Sequence, residues 1–107
     1  VPAGEVRTPV DVVTAGRALI ELAGNSLQGV YHLSGNDRLT RLDMVRRIAA
    51  HLGYGTDRVR PNDPTGIPGR APRPRDVSLD NMQTRRALGT TLCGLEEGIS
   101  RVLALAR

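Results

Sequence analysis

The run GVYHLSGNDRLTRLDMVRRIAAHLG, residues 29–53, decides how the chain is built. Its opening, GVYHLS (29–34), is short, apolar and β-prone. Gly29 and Gly35 flank it, so it reads as a strand. SGNDR then turns the chain. TRLDMVRRIAAHLG (40–53) reads as a helix. Thr40, with Asp43 three residues later, has the spacing of a capping box. Leu42, Val45, Ile48, Ala49 and Leu52 recur at helical spacing and form the expected buried face. Arg41, Arg46 and Arg47 lie away from it, and Gly53 ends the helix. One short strand cannot make a stable sheet alone. The unit therefore implies partner strands outside itself.

On the N-terminal side, TPVDVVTAGRALIELAG (8–24) reads as a second helix. Thr8 suits the N-cap, Pro9 the first helical position, and Asp11 the positive helix end. Val12, Ala15, Gly16, Leu19, Leu22 and Ala23 form its apolar stripe, and Gly24 and Asn25 stop it. On the C-terminal side the periodicity dissolves between residues 56 and 79. DRVRP (57–61) has the composition of a short strand. NDPTGIPGRAPRPRD (62–76) is punctuated by Pro and Gly and reads as a partly extended surface loop. Asp80 then caps a short helix, NMQTRRALG (81–89). A last helix runs from Leu95 to Ala106, with Glu96 and Glu97 in its first turn and a stripe of Leu95, Ile99, Val102, Leu103 and Ala106. The fold class is α/β, an α+β small lobe: mostly helical, with one or two short strands.

With 107 residues the chain is one small domain or a fragment, spanning 1–107. The hydrophobic share is 39% and the aromatic share 2%, so any core comes from Leu, Val, Ile and Ala. The net charge is +4 and every basic residue is Arg. Genomic base composition is the plainer account of the all-Arg usage. The arginines are scattered without interleaved aromatics, so a nucleic-acid partner is not expected. Cys93 stands alone, which excludes an internal disulfide and a Cys metal cluster. His32 and His51 lie far apart in sequence, so no metal site is expected. No apolar run has the length of a membrane span. No membrane association is expected, and a cytoplasmic location fits.

Four stretches taken together resemble one family: RTPVDVVTAGRALIEL (7–22), GVYHLSGNDRLTRLDMVRRIAAHLG (29–53), RPRDVSLDNMQTRRALG (73–89) and LEEGISRVLAL (95–105). Their order and spacing are similar to the C-terminal part of extended short-chain dehydrogenase/reductases that act on nucleotide sugars. Within that group they look most like dTDP-4-dehydrorhamnose reductases. The strand-Ser-Gly-turn-helix unit followed by RPxDVxLD is the most specific part. The resemblance implies the C-terminal, substrate-binding lobe of a Rossmann-type enzyme that uses NAD(P)H. It also implies a strand contributed to the parent sheet, which accounts for the solitary GVYHLS.

Two family motifs are missing. The Gly-rich turn that binds the dinucleotide pyrophosphate does not occur; GYG (53–55) follows a helix and lacks the third Gly. The catalytic Tyr-x-x-x-Lys does not occur either. Tyr31 is followed four residues later by Gly35, Tyr54 by Arg58, and the chain has no Lys. No cofactor is therefore expected on this chain, the Rossmann cofactor domain is absent from it, and hydride transfer by it alone is not expected. The implied partners are a nucleotide-sugar diphosphate and a Rossmann domain of the same or another chain. Apolar surface left bare without that domain is expected to favour self-association. A nucleotide-sugar epimerase lobe and a non-catalytic interaction module derived from the fold are the alternatives.

Arg73, at the Arg of RPxD, is the first candidate for substrate binding. By the resemblance it contacts the diphosphate. A planar guanidinium suits that task, and Pro72 and Pro74 limit the backbone freedom lost on binding. Read without the resemblance, a solvated loop arginine is the favoured account; with the family spacing the two readings stand even. Arg75 and Arg70 share the loop and rank below it, and Asp76 is expected to pair with one of them. Asp11 reads as support for its helix start. His32 reads as a half-buried, hydrogen-bonded strand residue, and Cys93 as an inert small hydrophobe.

Overall fold

A computed structural model describes residues 1–61 and 74–105. Along the chain it contains β1 (Val6–Arg7), α1 (Val12–Ala23), β2 (Leu39–Thr40), α2 (Arg41–His51), α3 (Met82–Ala87) and α4 (Leu95–Leu105). Four helices and one two-stranded antiparallel sheet agree with a small, mostly helical α/β fragment. Among the described residues no helix is long and apolar enough to cross a membrane. The chain divides into two compact units: residues 1–7 with 38–78, and residues 8–37 with 79–107.

The first unit is organised by backbone pairing. β1 and β2 run antiparallel, with Val6 opposite Thr40 and Arg7 opposite Leu39. Thr40 passes directly into α2 as its N-cap, and its Oγ1 accepts the Asp43 N–H at 3.1 Å. This is the cap expected from TRLD. At the other end the chain reverses at Gly53, whose φ of 84° suits a residue without a Cβ. The expected apolar face of α2 is only half covered. Leu42, Val45, Ile48 and Ala49 are half-buried, Leu52 is exposed, and no α2 residue is fully buried. The buried group in β1's lead-in is instead Glu5. Its carboxylate accepts from Arg41 at 3.0 Å and lies 3.5 Å from Arg7. Residues 57–61 form no strand; Asp57 and Arg58 lie in a turn.

The second unit holds the core: Ala18, Leu88, Leu92, Cys93 and Leu95, with Thr14 and Thr84 fully buried beside them. α1 packs on α4. The buried residues of α1 are Thr14 and Ala18, and those of α4 are Leu95 and Gly98. The apolar stripe expected on α1 is therefore covered only in part: Ala15, Gly16 and Leu22 are half-buried, whereas Val12, Leu19 and Ala23 are exposed, as is Ile20 outside the stripe. Val12 is 73% exposed, Leu19 59% and Ile20 77%. Small side chains let the two helices approach closely, and the large apolar ones fall on the other face. α1 also starts later than the sequence suggests. Asp11, not Thr8, is its N-cap and accepts the Thr14 N–H at 2.9 Å. Thr8 is engaged elsewhere, its Oγ1 accepting from the Leu79 N–H at 3.1 Å.

Residues 29–34 form no strand. A strand requires a neighbour to complete its ladder, and this segment has none among the described residues. Its carbonyls take side-chain donors instead. Thr84 Oγ1 donates to the His32 carbonyl at 2.7 Å, and Asn81 Nδ2 to that of Ser34 at 3.0 Å. The following Gly35 fits a place no other residue could take. A Cβ there would lie 1.8 Å from the Pro9 carbonyl oxygen.

Candidate functional site

In the first unit the segment after Pro74 becomes a third, minimal strand. Val6 bridges Asp76 in parallel: its N–H donates to the Arg75 carbonyl at 2.5 Å, and its carbonyl accepts from the Val77 N–H at 3.2 Å. Pro74 has no N–H to offer a ladder, so the pairing begins just beyond it. Asp76 then fastens the segment through its side chain. One carboxylate oxygen accepts from the Ser78 N–H at 2.9 Å and the Ser78 hydroxyl at 2.6 Å. The other accepts from Arg38 Nη2 in a short ion pair, while Arg38 Nε donates to Ser78 Oγ at 3.2 Å. The Ser78 hydrogen bonds, with the Arg38 guanidinium second, hold the Asp76 carboxyl down at about 2.

Of the arginines expected at the site, Arg75 is the described one, whereas Arg73 and Arg70 lie outside the described residues. Arg75 is exposed. Its carbonyl is held by Val6, and its guanidinium makes no hydrogen bond or ion pair with another described residue. Among the described residues Asp76 pairs with Arg38 and not with Arg75, while the expected alternative Arg70 lies outside them. In sequence Arg38 is only the end of the SGNDR turn, and it lies 38 positions before Asp76. The cue available was chemical: a charged residue closing a turn just before the strand-like Leu39.

In the second unit, Tyr31 and His32 face α3 across an open depression of about 600 Å³ that Asp80, Met82, Gln83, Arg86 and Ala87 also line. His32 is exposed rather than half-buried, and its Nδ1 lies 3.2 Å from the Asp80 carbonyl. Asp80 contributes to the start of α3 from one position further out than expected. Asn81 occupies the cap position without a side-chain cap bond, and Asp80 Oδ1 accepts the Met82 N–H at 2.9 Å. Cys93 is buried, lying 3.7 Å from Thr14 Oγ1 and 3.6 Å from Asp11 Oδ1. Burial pushes its thiol up, so it is a poor nucleophile. For Asp11 burial also acts upward, but the Thr14 and Cys93 hydrogen bonds outweigh it and hold the carboxyl low.

Charge is divided unequally. Ten of the fifteen arginines and five of the eleven acids fall in the first unit, a net of +5; five arginines and six acids in the second give −1. The first unit therefore has the field to attract an anion. Gly53 and Gly55, the glycines of GYG, sit beyond the C-terminal end of α2, not in a strand-to-helix turn that aims N–H groups at a pyrophosphate. Among the described residues no three His, Cys, Asp or Glu side chains converge as metal ligands do.

One family model, the RmlD substrate binding domain, matches residues 1–107. Among curated proteins, methionine adenosyltransferase 2 subunit beta from Bos taurus is 35% identical over 72 residues, which is 65% of this chain and 21% of the relative. The same protein from Pongo abelii matches with the same identity and coverage. The chain thus spans about a fifth of the length of the curated relatives it matches. No solved structure matches it.

Proposed function

Because the chain belongs to the RmlD substrate binding domain family, we propose that it is the substrate-binding portion of an NAD(P)-dependent, dTDP-4-dehydrorhamnose reductase-like enzyme. The match along the full 107 residues carries this reading. The ligand is a nucleotide sugar, a dTDP-linked 4-keto-6-deoxysugar. Its diphosphate is held by arginines of the loop that ends in Arg75, with Arg73 and Arg70 upstream. The net +5 of the first unit supports an anionic ligand there. NAD(P)H belongs to a Rossmann-type portion of the same or another chain, and hydride transfer is completed only with it. The bare apolar residues Val12, Leu19 and Ile20 and the unpaired segment 29–34 support such a partner, because both are surfaces that an adjoining sheet and its helices would cover.

Calorimetric titration of the chain with dTDP-rhamnose tests this. Saturable binding is expected, weakened by about tenfold in Arg73→Ala and in Arg75→Ala, the scale of a lost charge-assisted hydrogen bond. Binding that survives both substitutions would sink the assignment of the loop. A second reading, a non-catalytic interaction module, is favoured by the relatives' being a subunit of another enzyme. Absence of nucleotide-sugar binding, with a monodisperse and cooperatively folding chain, would select it.

A further inference from the structure

We infer, on the reading that this chain binds a nucleotide sugar, that Arg38, Asp76 and Ser78 form a positioning clamp that presents the Arg75 guanidinium to the ligand's diphosphate. The segment is fixed at three successive residues. The Arg75 carbonyl and the Val77 N–H are bound to Val6, and between them the Asp76 carboxylate is bound to Ser78 and Arg38. In an extended segment successive side chains leave on opposite sides. Asp76 therefore commits one side to the clamp, and Arg75 leaves on the other, where no described residue engages it.

The charges divide in the same way. Arg38 and Asp76 neutralise each other, while no described residue pairs with the Arg75 guanidinium. Arg38 uses two nitrogens of its fork, Nε to Ser78 and Nη2 to Asp76, a geometry that a lysine cannot reproduce. As a stability device the cluster is poorly placed. The Arg38 side chain is 61% exposed and that of Asp76 44%, and exposed ion pairs contribute little to folding. As a way of ordering a loop before its ligand arrives it is well placed, because a guanidinium whose backbone is already fixed loses less freedom on binding. Arg38, Asp76 and Ser78 are positioning residues and do not themselves touch the anion.

The discriminating variant is Asp76→Asn. It removes a negative charge, so long-range electrostatics alone would tighten the binding of a diphosphate. The clamp requires the opposite. Affinity for dTDP-rhamnose, measured by calorimetry on the full chain, should fall about fivefold. Amide exchange at Val6 and Val77 should speed up, while exchange in α4 stays unchanged. Arg38→Gln should reproduce the loss, and Arg38→Lys should recover only part of it. The double variant Arg75→Ala/Asp76→Asn should bind no more weakly than Arg75→Ala, because Asp76 acts through Arg75. Unchanged or tighter binding by Asp76→Asn, or additive losses in the double variant, would overturn the clamp. An unsubstituted chain that fails to bind dTDP-rhamnose would overturn the functional reading and the clamp's ligand with it; binding that ignores Asp76 would overturn the clamp alone.

Discussion

The two units of this chain are stabilised in different ways. The second, residues 8–37 with 79–107, buries Ala18, Leu88, Leu92, Cys93 and Leu95 and satisfies its buried polar groups through specific hydrogen bonds. The first, residues 1–7 with 38–78, has among its described residues one long helix, α2, and none of that helix is fully buried. It relies on strand pairing and the Glu5–Arg41 contact, with the exposed Asp76 cluster adding local order more than stability. The net charges, −1 and +5, follow the same division. The unit with the weaker core carries the arginines. A surface that holds many like charges has self-repulsion to offset, which an anionic ligand would relieve. One unit with a packed core and one whose described residues are less buried and more charged is the pattern expected where stability and binding are assigned to separate parts of a chain.

The largest expected effect tests the packed unit. Gly35→Ala places a methyl group 1.8 Å from the Pro9 carbonyl oxygen, so the backbone itself must move. A loss of about 3 kcal/mol or more is expected, at the upper end of overpacking costs, read by urea denaturation. A near-neutral result would mean that this unit is as loosely held as the other. Next comes Thr84→Val, which keeps the shape but removes the hydroxyl bonded to the His32 carbonyl at 2.7 Å. A loss of about 1–2 kcal/mol is expected, because Thr84 is fully buried and the carbonyl loses its donor. The matching change in the first unit, Ile48→Val on the half-covered face of α2, should cost less, about 0.5 kcal/mol. If it costs more than Thr84→Val, the contrast between the units fails.

The smallest effect is acid sensitivity, and it appears in both units. In the first, Asp76 is depressed from 3.8 to about 2. In the second, hydrogen bonds from the Thr90 hydroxyl and the Gly89 and Thr90 amides hold the Glu21 carboxyl below its ordinary 4.5. A carboxyl depressed by folding contributes stability above its unfolded value and loses it as pH falls through the folded one. Both contributions should therefore fade on acidification below about pH 4. Asp76→Asn should remove the dependence reported by the Val77 amide signal, and Glu21→Gln that reported by Thr90. A pH dependence at Val77 that persists in Asp76→Asn would mean another acid governs that segment.

Much of this was legible in the sequence, and what was legible was local. Thr40 caps α2 through an amide three residues away, and the chain reverses at Gly53, as TRLD and LG indicate. α4 begins at Leu95 with Glu96 and Glu97 in its first turn. The family resemblance rests on the same short-range pattern. The candidate loop was identified too, but not what fastens it. The sequence pairs Asp76 with a neighbouring arginine, whereas the structure pairs it with Arg38. Likewise Thr8 has every local qualification as an N-cap, yet its hydroxyl serves the Leu79 amide and Asp11 takes the role. The apolar stripe of α1 is periodic, yet Thr14 and Ala18 are the residues buried. The β-prone segment 29–34 has strand composition without a strand.

The dividing line is physical. Helix starts and stops depend on hydrogen bonds that close within three or four residues, so residue type and spacing specify them. Strand pairing, the choice of buried face and the partner of an ion pair depend on what a distant part of the chain brings near. A separation of 38 positions between Arg38 and Asp76 carries no such local record. The sequence by itself determined where this chain is helical and which loop holds its arginines. Only the tertiary structure decided that Arg38 is consumed in holding that loop while the Arg75 guanidinium has no partner among the described residues.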